Sequence, residues 1–376
     1  MTGDRLARLA LSQLGEPGDL RFAGLVAELG AERLHALILA GGDPSGMRDE
    51  LALRLESIEP ERDLERAARQ GIRWVVPGDE EWPAGLDDLD GCEPLQDMGG
   101  PPLGLWVRGP LRLDELPSPV AVVGSRSATT YGATVTAEIA AGLARAGCTV
   151  VSGAAFGIDQ AAHRGALAGG GPTVAVLACG VDRAYPRAHE ALLDHLGQHG
   201  AVVSELAPGR APMRARFLAR NRVIAAMSGG TVVVEAAVRS GALNTAGWSL
   251  RLNRPLMGVP GPVTSASSEG VHELIRSGAA TLVTRAGDVL ELTGSIGEHL
   301  PEPPRAPATA RDRLTPTQRR VLEAVPLRRP AASDSIARTA GLGVVPVRSA
   351  LDGLFRRGMV EQLPTGWRLA EDADAS

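Results

Sequence analysis

The stretch VAVVGSRSATTYG, residues 120–132, decides the fold. Val120 to Val123 form an apolar run of strand length, the composition of a strand buried on both faces. Gly124, Ser125 and Arg126 interrupt it. YGATVTAEIAAGLARAG (131–147) then spaces its apolar residues as a helix does. The alternation continues to residue 293. CTVVSG (148–153), TVAVLACG (173–180), AVVSE (201–205), TVVVEA (231–236) and PLMGVPG (255–261) read as strands. GIDQAAHRGALAG (157–169), HEALLDHLGQHG (189–200), the arginine-rich stretch ending at Arg222 and NTAGWSLRL (244–252) read as the helices between them. Such alternation predicts an α/β fold with a mainly parallel sheet covered on both faces. Ligands on such sheets bind beyond the carboxyl ends of the strands.

Working outward, residues 1–72 read as a small helical domain, through LARLALSQL, LRFAGLVAELG, AERLHALILAG and LALRLESI. Residues 73–119 carry many prolines and read as an extended connector with short strands such as LGLWVRG. A Pro/Ala-rich linker spans 294–313. Residues 314–370 read as three short helices and a hairpin, the pattern of a winged helix, opened by the helix-start pair Thr315-Pro316. EDADAS (371–376) is an acidic tail.

The chain has 376 residues and a net charge of -5. Its basic residues are all arginine, so a P-loop lysine and a Schiff-base lysine are excluded. No apolar run approaches the ~20 residues of a membrane span, and the N-terminus lacks a signal-peptide pattern. A cytoplasmic, non-membrane protein is expected. Cys92, Cys148 and Cys179 are too far apart for a zinc motif and fit a reducing compartment.

Positive charge concentrates in GRAPMRARFLARNR (209–222), where five arginines surround Phe217, one of only four phenylalanines. Cation plus aromatic is the composition that holds a single nucleic-acid strand. The competing reading is a core phenylalanine in a solvated helix. The loop Gly124-Ser125-Arg126 offers glycine backbone, helix amides and a cation, which is a phosphate site in principle. Its competitor is a tight turn with a surface arginine. SGAAFGID (152–159), with Gly153 and Gly157, ACGVDRAYP (178–186), with Gly180, and SGALNTAG (240–247) are further small-residue loops at strand ends. Together the four make an extended polar floor.

Other chemistry is weakly signalled. His195 and His199 lie four apart with no third metal ligand evident. Asp159 reads as a cap or a ligand contact, and His163 as structural or near the site. Ser152 and Ser204 lack a nucleophile-elbow context. Glu205 and Glu235 end strands without a catalytic partner. No metal, cofactor or catalytic residue is expected.

These motifs, in this order, resemble the DNA processing protein A family (DprA, also called Smf). VAVVGSR, VVSGAAFGIDQAAHRGAL, AVLACGVDRAYP, RNRVIAAMS, VVVEAAVRSGALNTA and VPGPV carry the resemblance, with GIRWVVPGDEEWPAGL matching the family's connector. The resemblance implies a Rossmann-like core between an N-terminal SAM-like domain and a C-terminal winged helix. It implies single-stranded DNA binding, cooperation with the RecA recombinase, protection of incoming DNA in natural transformation, and a homodimer through the Rossmann-like domain. Carried over by motif, the DNA pocket comprises Gly124, Ser125, Arg126, Arg214, Phe217, Arg220, Asn221 and Arg222, with Gly153, Gly157 and Gly180 in the adjoining loops. Two departures stand out: Phe156 where the family often has arginine, and FLARNR where it often has FPRRNR. The alternative is a nucleotide-binding or nucleotide-hydrolysing enzyme of the lysine-decarboxylase-like Rossmann group; SGALNTAGW lacks the glutamate of that group's PGGxGTxxE motif, which argues against hydrolysis and leaves small-nucleotide binding open.

Overall fold

A computed structural model describes residues 3–40, 55–295 and 310–370. The acidic tail, most of the Pro/Ala-rich linker and the first part of LALRLESI lie outside the described residues. The chain divides into two compact units, 1–301 and 302–376.

The first unit opens with α1 (Gly3–Leu14), α2 (Leu20–Leu29), α3 (Ala31–Leu39) and α4 (Pro60–Ala68). Asp19 starts α2 by accepting the amide hydrogens of Arg21 and Phe22, a side-chain cap for otherwise orphaned donors. Leu11, Leu14, Phe22, Leu34 and Ile38 bury the inner stripes of the first three helices against one another.

β1 (Ile72–Val75) and β2 (Leu105–Arg108) follow, with a 3-10 turn at Ala84–Leu89 between them. The stretch expected as an extended connector therefore belongs to the sheet. β1 pairs with β2, and β2 with the sixth strand, both antiparallel. Trp82, Leu86 and Leu89 from this stretch are buried in the main core.

The alternating region then runs β3 (Val120–Val123), α5 (Thr130–Arg145), β4 (Val150–Ser152), α6 (Ile158–Ala168), β5 (Thr173–Val176), α7 (Glu190–His199) and β6 (Ala201–Ser204). It continues with α8 (Arg214–Ala226), β7 (Gly230–Val233), α9 (Ala242–Arg251), β8 (Leu256–Gly258), α10 (Glu269–Arg276), β9 (Thr281–Leu282) and α11 (Ala286–Thr293). The nine-stranded sheet has the order β1-β2-β6-β5-β4-β3-β7-β8-β9, parallel from β6 to β9. This is the mainly parallel Rossmann-like sheet that the sequence predicts.

Alternate residues of each strand enter different cores, as the two-residue period of a strand requires. Ala121, Val123, Val151, Val176 and Val233 face Ile224 and Trp248. Val120, Val122, Val150 and Val232 face Ile139, Leu143 and Ala162. Successive strands run outward from β3 to β6, and the chain then returns to place β7 on β3's other side. The order thus reverses between β3 and β7, which opens a crevice at their carboxyl ends. The backbone amide of Ser125 donates to the Glu235 carbonyl at 2.7 Å and joins the two strand ends there.

The second unit holds α12 (Pro316–Ala324), α13 (Ser333–Ala340), α14 (Val344–Phe355), and the antiparallel pair β10 (Val360–Leu363) and β11 (Gly366–Leu369). Thr315 and Gln318 form a reciprocal capping box, with Pro316 in the first turn, as the Thr-Pro signal predicts. Val321, Ile336, Leu351, Leu354 and Trp367 give the unit its own core.

Candidate nucleic-acid interface

The loop after β3 is held from below. Ser125 accepts the Ile158 amide through its carbonyl at 3.1 Å. Its hydroxyl accepts the Ser127 amide at 3.1 Å. Gly157 adopts φ +77°, and a Cβ there would lie 2.3 Å from the Ser125 carbonyl oxygen. Only glycine meets both conditions. The β4 loop therefore packs directly under the β3 loop, and Arg126 projects outward, exposed.

Arg126 turns its guanidinium over Phe217, with the guanidinium carbon 4.6 Å from the ring centroid. Phe217 is half-buried in the first turns of α8. Arg214, the first residue of that helix, is exposed. Among the described residues neither Arg126 nor Arg214 has a carboxylate partner. The structure brings these three residues and the glycine loops together at one end of the sheet.

The rest of the arginine cluster goes elsewhere. Arg216 is buried and grips Glu16 with two bonds, of 2.7 and 2.6 Å. Arg210 donates to the Gln13 carbonyl at 3.2 Å. Both therefore tie the start of α8 to the N-terminal helices. Arg222, expected in the pocket, has a side chain only 1% exposed and is paired with Glu205, one of the two bonds being 2.7 Å. It also donates to the Gly100 carbonyl at 3.0 Å. Asn221 is buried too, donating to Asn244 and to the Gly241 carbonyl at 3.2 Å each. Arg220 is buried under the floor and donates to the Val176 carbonyl at 2.8 Å. The RNR triplet is thus an internal brace. A buried cation must be paired or fully hydrogen-bonded; Arg222 is paired with Glu205, whereas Arg220 makes its bond to the Val176 carbonyl near the Asp159 charge and its Nε has no hydrogen-bond partner among the described residues.

Gly153 and Arg220 are matched in shape. A Cβ on Gly153 would lie 1.6 Å from an Arg220 guanidinium nitrogen, so the absent side chain is what admits the arginine. Asp159 accepts the Gly153 and Ala155 amides at 3.2 and 3.3 Å. Burial raises its pKa, while the Arg220 charge pulls it back. Burial lowers that of Arg220, opposed by Asp159. Gly180 donates its amide to the Arg210 carbonyl at 3.0 Å and closes the third loop over the start of α8.

His163 lies in the same buried layer, its Nδ1 2.8 Å from the Thr173 hydroxyl. Burial, aided by His189 and Arg220, lowers its pKa to about 3. The unfolded chain, with an ordinary histidine near pH 6.5, takes the proton first. This group's stability is therefore intact above pH 6.5 and is lost as the pH falls toward 3. Between pH 7 and pH 5 the expected loss is about 2 kcal/mol. Urea unfolding of wild type and His163→Gln at both pH values tests this: the variant should lack that share, and equal losses in the two proteins would refute the assignment.

Other candidates resolve into structure. Glu235 is buried and accepts from the Thr129 amide at 2.9 Å, the Thr129 hydroxyl at 2.5 Å and the Ser267 hydroxyl at 3.3 Å. His195 and His199 stack on each other on the surface. No group of three His, Cys, Asp or Glu side chains could hold a metal among the described residues. No described helix is long and apolar enough to cross a membrane. One segment escapes a reading based on charge density. In RAYPR (183–187), Arg183, Tyr185 and Arg187 are all exposed, and the Tyr185 ring lies 5.6 Å from that of Phe217. The available signal is an aromatic residue between two arginines at a strand-end loop.

The profile of the DNA recombination-mediator protein A family matches residues 73–294. The chain belongs to that family, the DNA processing protein A (DprA) family. A Mycobacterium tuberculosis relative carrying the DprA name is 44% identical over 362 residues, covering 96% of this chain and 92% of its own. The DNA processing protein DprA of Streptococcus pneumoniae is 42% identical over 204 residues, 54% of this chain and 71% of its own. A crystal structure of the pneumococcal DprA superposes with a TM-score of 0.64 at 32% identity, covering 78% of this chain and 99% of that one. The Helicobacter pylori DprA, whose structure concerns a unique single-stranded DNA binding mode, superposes with a TM-score of 0.51 at 28% identity over 58% of this chain and 94% of that one.

Proposed function

We propose that this protein binds single-stranded DNA across the carboxyl ends of β3 and its neighbours, and does so without catalysis. The observation that carries the reading is Arg126 lying over the Phe217 ring beside Arg214, at the end of the sheet where ligands of such folds bind. A guanidinium meets a phosphate and an aromatic ring meets an unpaired base. Membership of the DprA family and the single-stranded DNA mode of the Helicobacter relative support a strand as the ligand. The roles of Gly124, Ser125, Gly153, Gly157 and Gly180 are to shape the floor, and those of Arg220, Asn221 and Arg222 are to hold it.

The same membership supports a role in recombination and natural transformation, with the RecA recombinase as partner, a homodimer through the Rossmann-like region and action in the cytoplasm. The three C-terminal helices and hairpin are read as a winged helix. The hydrolytic alternative is disfavoured because Glu235, the best-placed carboxylate, is buried and spends both oxygens on Thr129 and Ser267.

The test is fluorescence anisotropy with a labelled single strand, its duplex and a nucleoside monophosphate competitor across a salt series. Wild type should prefer the single strand. Phe217→Ala should weaken binding by about 1–3 kcal/mol. Arg126→Ala should weaken it and flatten the salt slope by about 0.7, the share of one phosphate contact. Displacement of the probe by the monophosphate, with no strand preference, would replace this reading with a small-nucleotide site.

A further inference from the structure

All five tryptophans are buried. Two of the exposed aromatic side chains, Tyr185 at 44% and Phe156 at 46%, stand instead at the strand-end loops. Tyr185 touches the Arg126–Phe217 pair, and Phe156 stands on the β4 loop, whose Gly157 packs against the backbone of Ser125 and Arg126. Tyr185 lies 5.6 Å from Phe217, ring to ring. Phe156 meets the His189 ring edge-on at 4.7 Å. His189 is in turn held by the Ala154 carbonyl, 2.9 Å from its Nδ1, in the loop that carries Phe156. Exposing two large rings costs hydrophobic burial, and both lie in a region rich in unpaired cations. Arg183 and Arg187 flank Tyr185, are exposed, and have no carboxylate partner among the described residues.

We infer that Tyr185 and Phe156 extend the site into a ledge of stacking positions, each taking a further base of the same strand, with Arg183 and Arg187 along its phosphates. Phe217 takes one base, Tyr185 beside it takes the next, and Phe156 lies beyond, over His189. The ligand class is a single-stranded polynucleotide with unpaired bases, longer than the Arg126–Phe217 pair alone can hold. This rests on the strand-binding reading above and adds to it both the ledge and its dependence on bases.

The test separates stacking from charge. Affinities are measured for wild type, Tyr185→Ala, Tyr185→Phe and Phe156→Ala against an oligothymidylate and a fully abasic strand of equal length, with melting temperatures as a folding control. Tyr185→Ala and Phe156→Ala should each weaken oligothymidylate binding by roughly 5- to 100-fold. Tyr185→Phe should keep it, and neither alanine variant should alter binding of the abasic strand. Equal losses on both strands, or no loss on either, would overturn the ledge while leaving strand binding intact. A wild type that binds neither strand would instead refute the functional reading itself.

Discussion

Glu205→Ala is expected to cost about 3–5 kcal/mol of stability in urea unfolding at neutral pH, the largest effect of any single substitution considered for this chain. The reason lies in what remains. Arg222 is 1% exposed, and Glu205 supplies its only carboxylate among the described residues. Its bonds to the Gly100 and Ala219 carbonyls satisfy donors but cannot neutralise the charge. Removing the carboxylate leaves a cation in a medium that penalises it severely. A double replacement, Glu205→Leu with Arg222→Met, should recover most of the loss, because burying two apolar groups costs no ionic desolvation. A single-variant loss below about 1 kcal/mol would mean that water already reaches the guanidinium. Since Arg222 sits on α8 and Glu205 follows β6, the variant should also loosen the helix that presents Phe217.

Gly153→Ala is the second substitution with a large expected effect, about 2–3 kcal/mol. The methyl group would overlap the Arg220 guanidinium. That side chain is buried and bonded to the Val176 carbonyl, so it has no free route to water. Either the arginine is displaced and its charge left unmatched, or the β4 loop lifts and carries Gly157 away from the Ser125 carbonyl. Both outcomes degrade the floor under the proposed strand, so affinity should fall with stability. The arginine can be tested directly. In an Arg220→Ala background the added methyl should cost less than about 1 kcal/mol, since contacting residues are not additive. An unchanged melting temperature for Gly153→Ala in the wild-type background would sink the account.

The parts of this structure that can be read from sequence are those set by local pattern. The apolar run Val120–Val123, the Gly-Ser-Arg break and the helix after it need only neighbouring residues to declare themselves. So does the Thr315-Pro316 helix start. β1 is different, and of β2 the strand is legible in LGLWVRG but its place in the sheet is not. IRWV reads as four mixed residues after a glycine, and its place beside β2 depends on β2 pairing with Val202, Val203 and Ser204, about a hundred residues away. β9 is two residues long and gains its identity from Met257 and Gly258. The arginine cluster shows the limit most clearly. Arg214 and Arg216 are two residues apart on one helix, yet one is exposed and the other is buried against Glu16. Arg220 to Arg222 are polar in sequence and buried in the fold, so α8 has no apolar stripe to mark its inner face. Charge density points to the candidate site. It cannot say which charges belong to the solvent and which to distant carboxylates.

The bonds from Arg216 to Glu16 and from Arg210 to Gln13 have a thermodynamic consequence. They join the helix that begins with Arg214 to the small domain at the front of the chain. Coupling through such a joint is reciprocal. Whatever factor the seated front helices contribute to strand affinity, an occupied strand site must return to their seating. Where that factor differs from one, the seating of the N-terminal helices is itself a readout of occupancy at the proposed strand site.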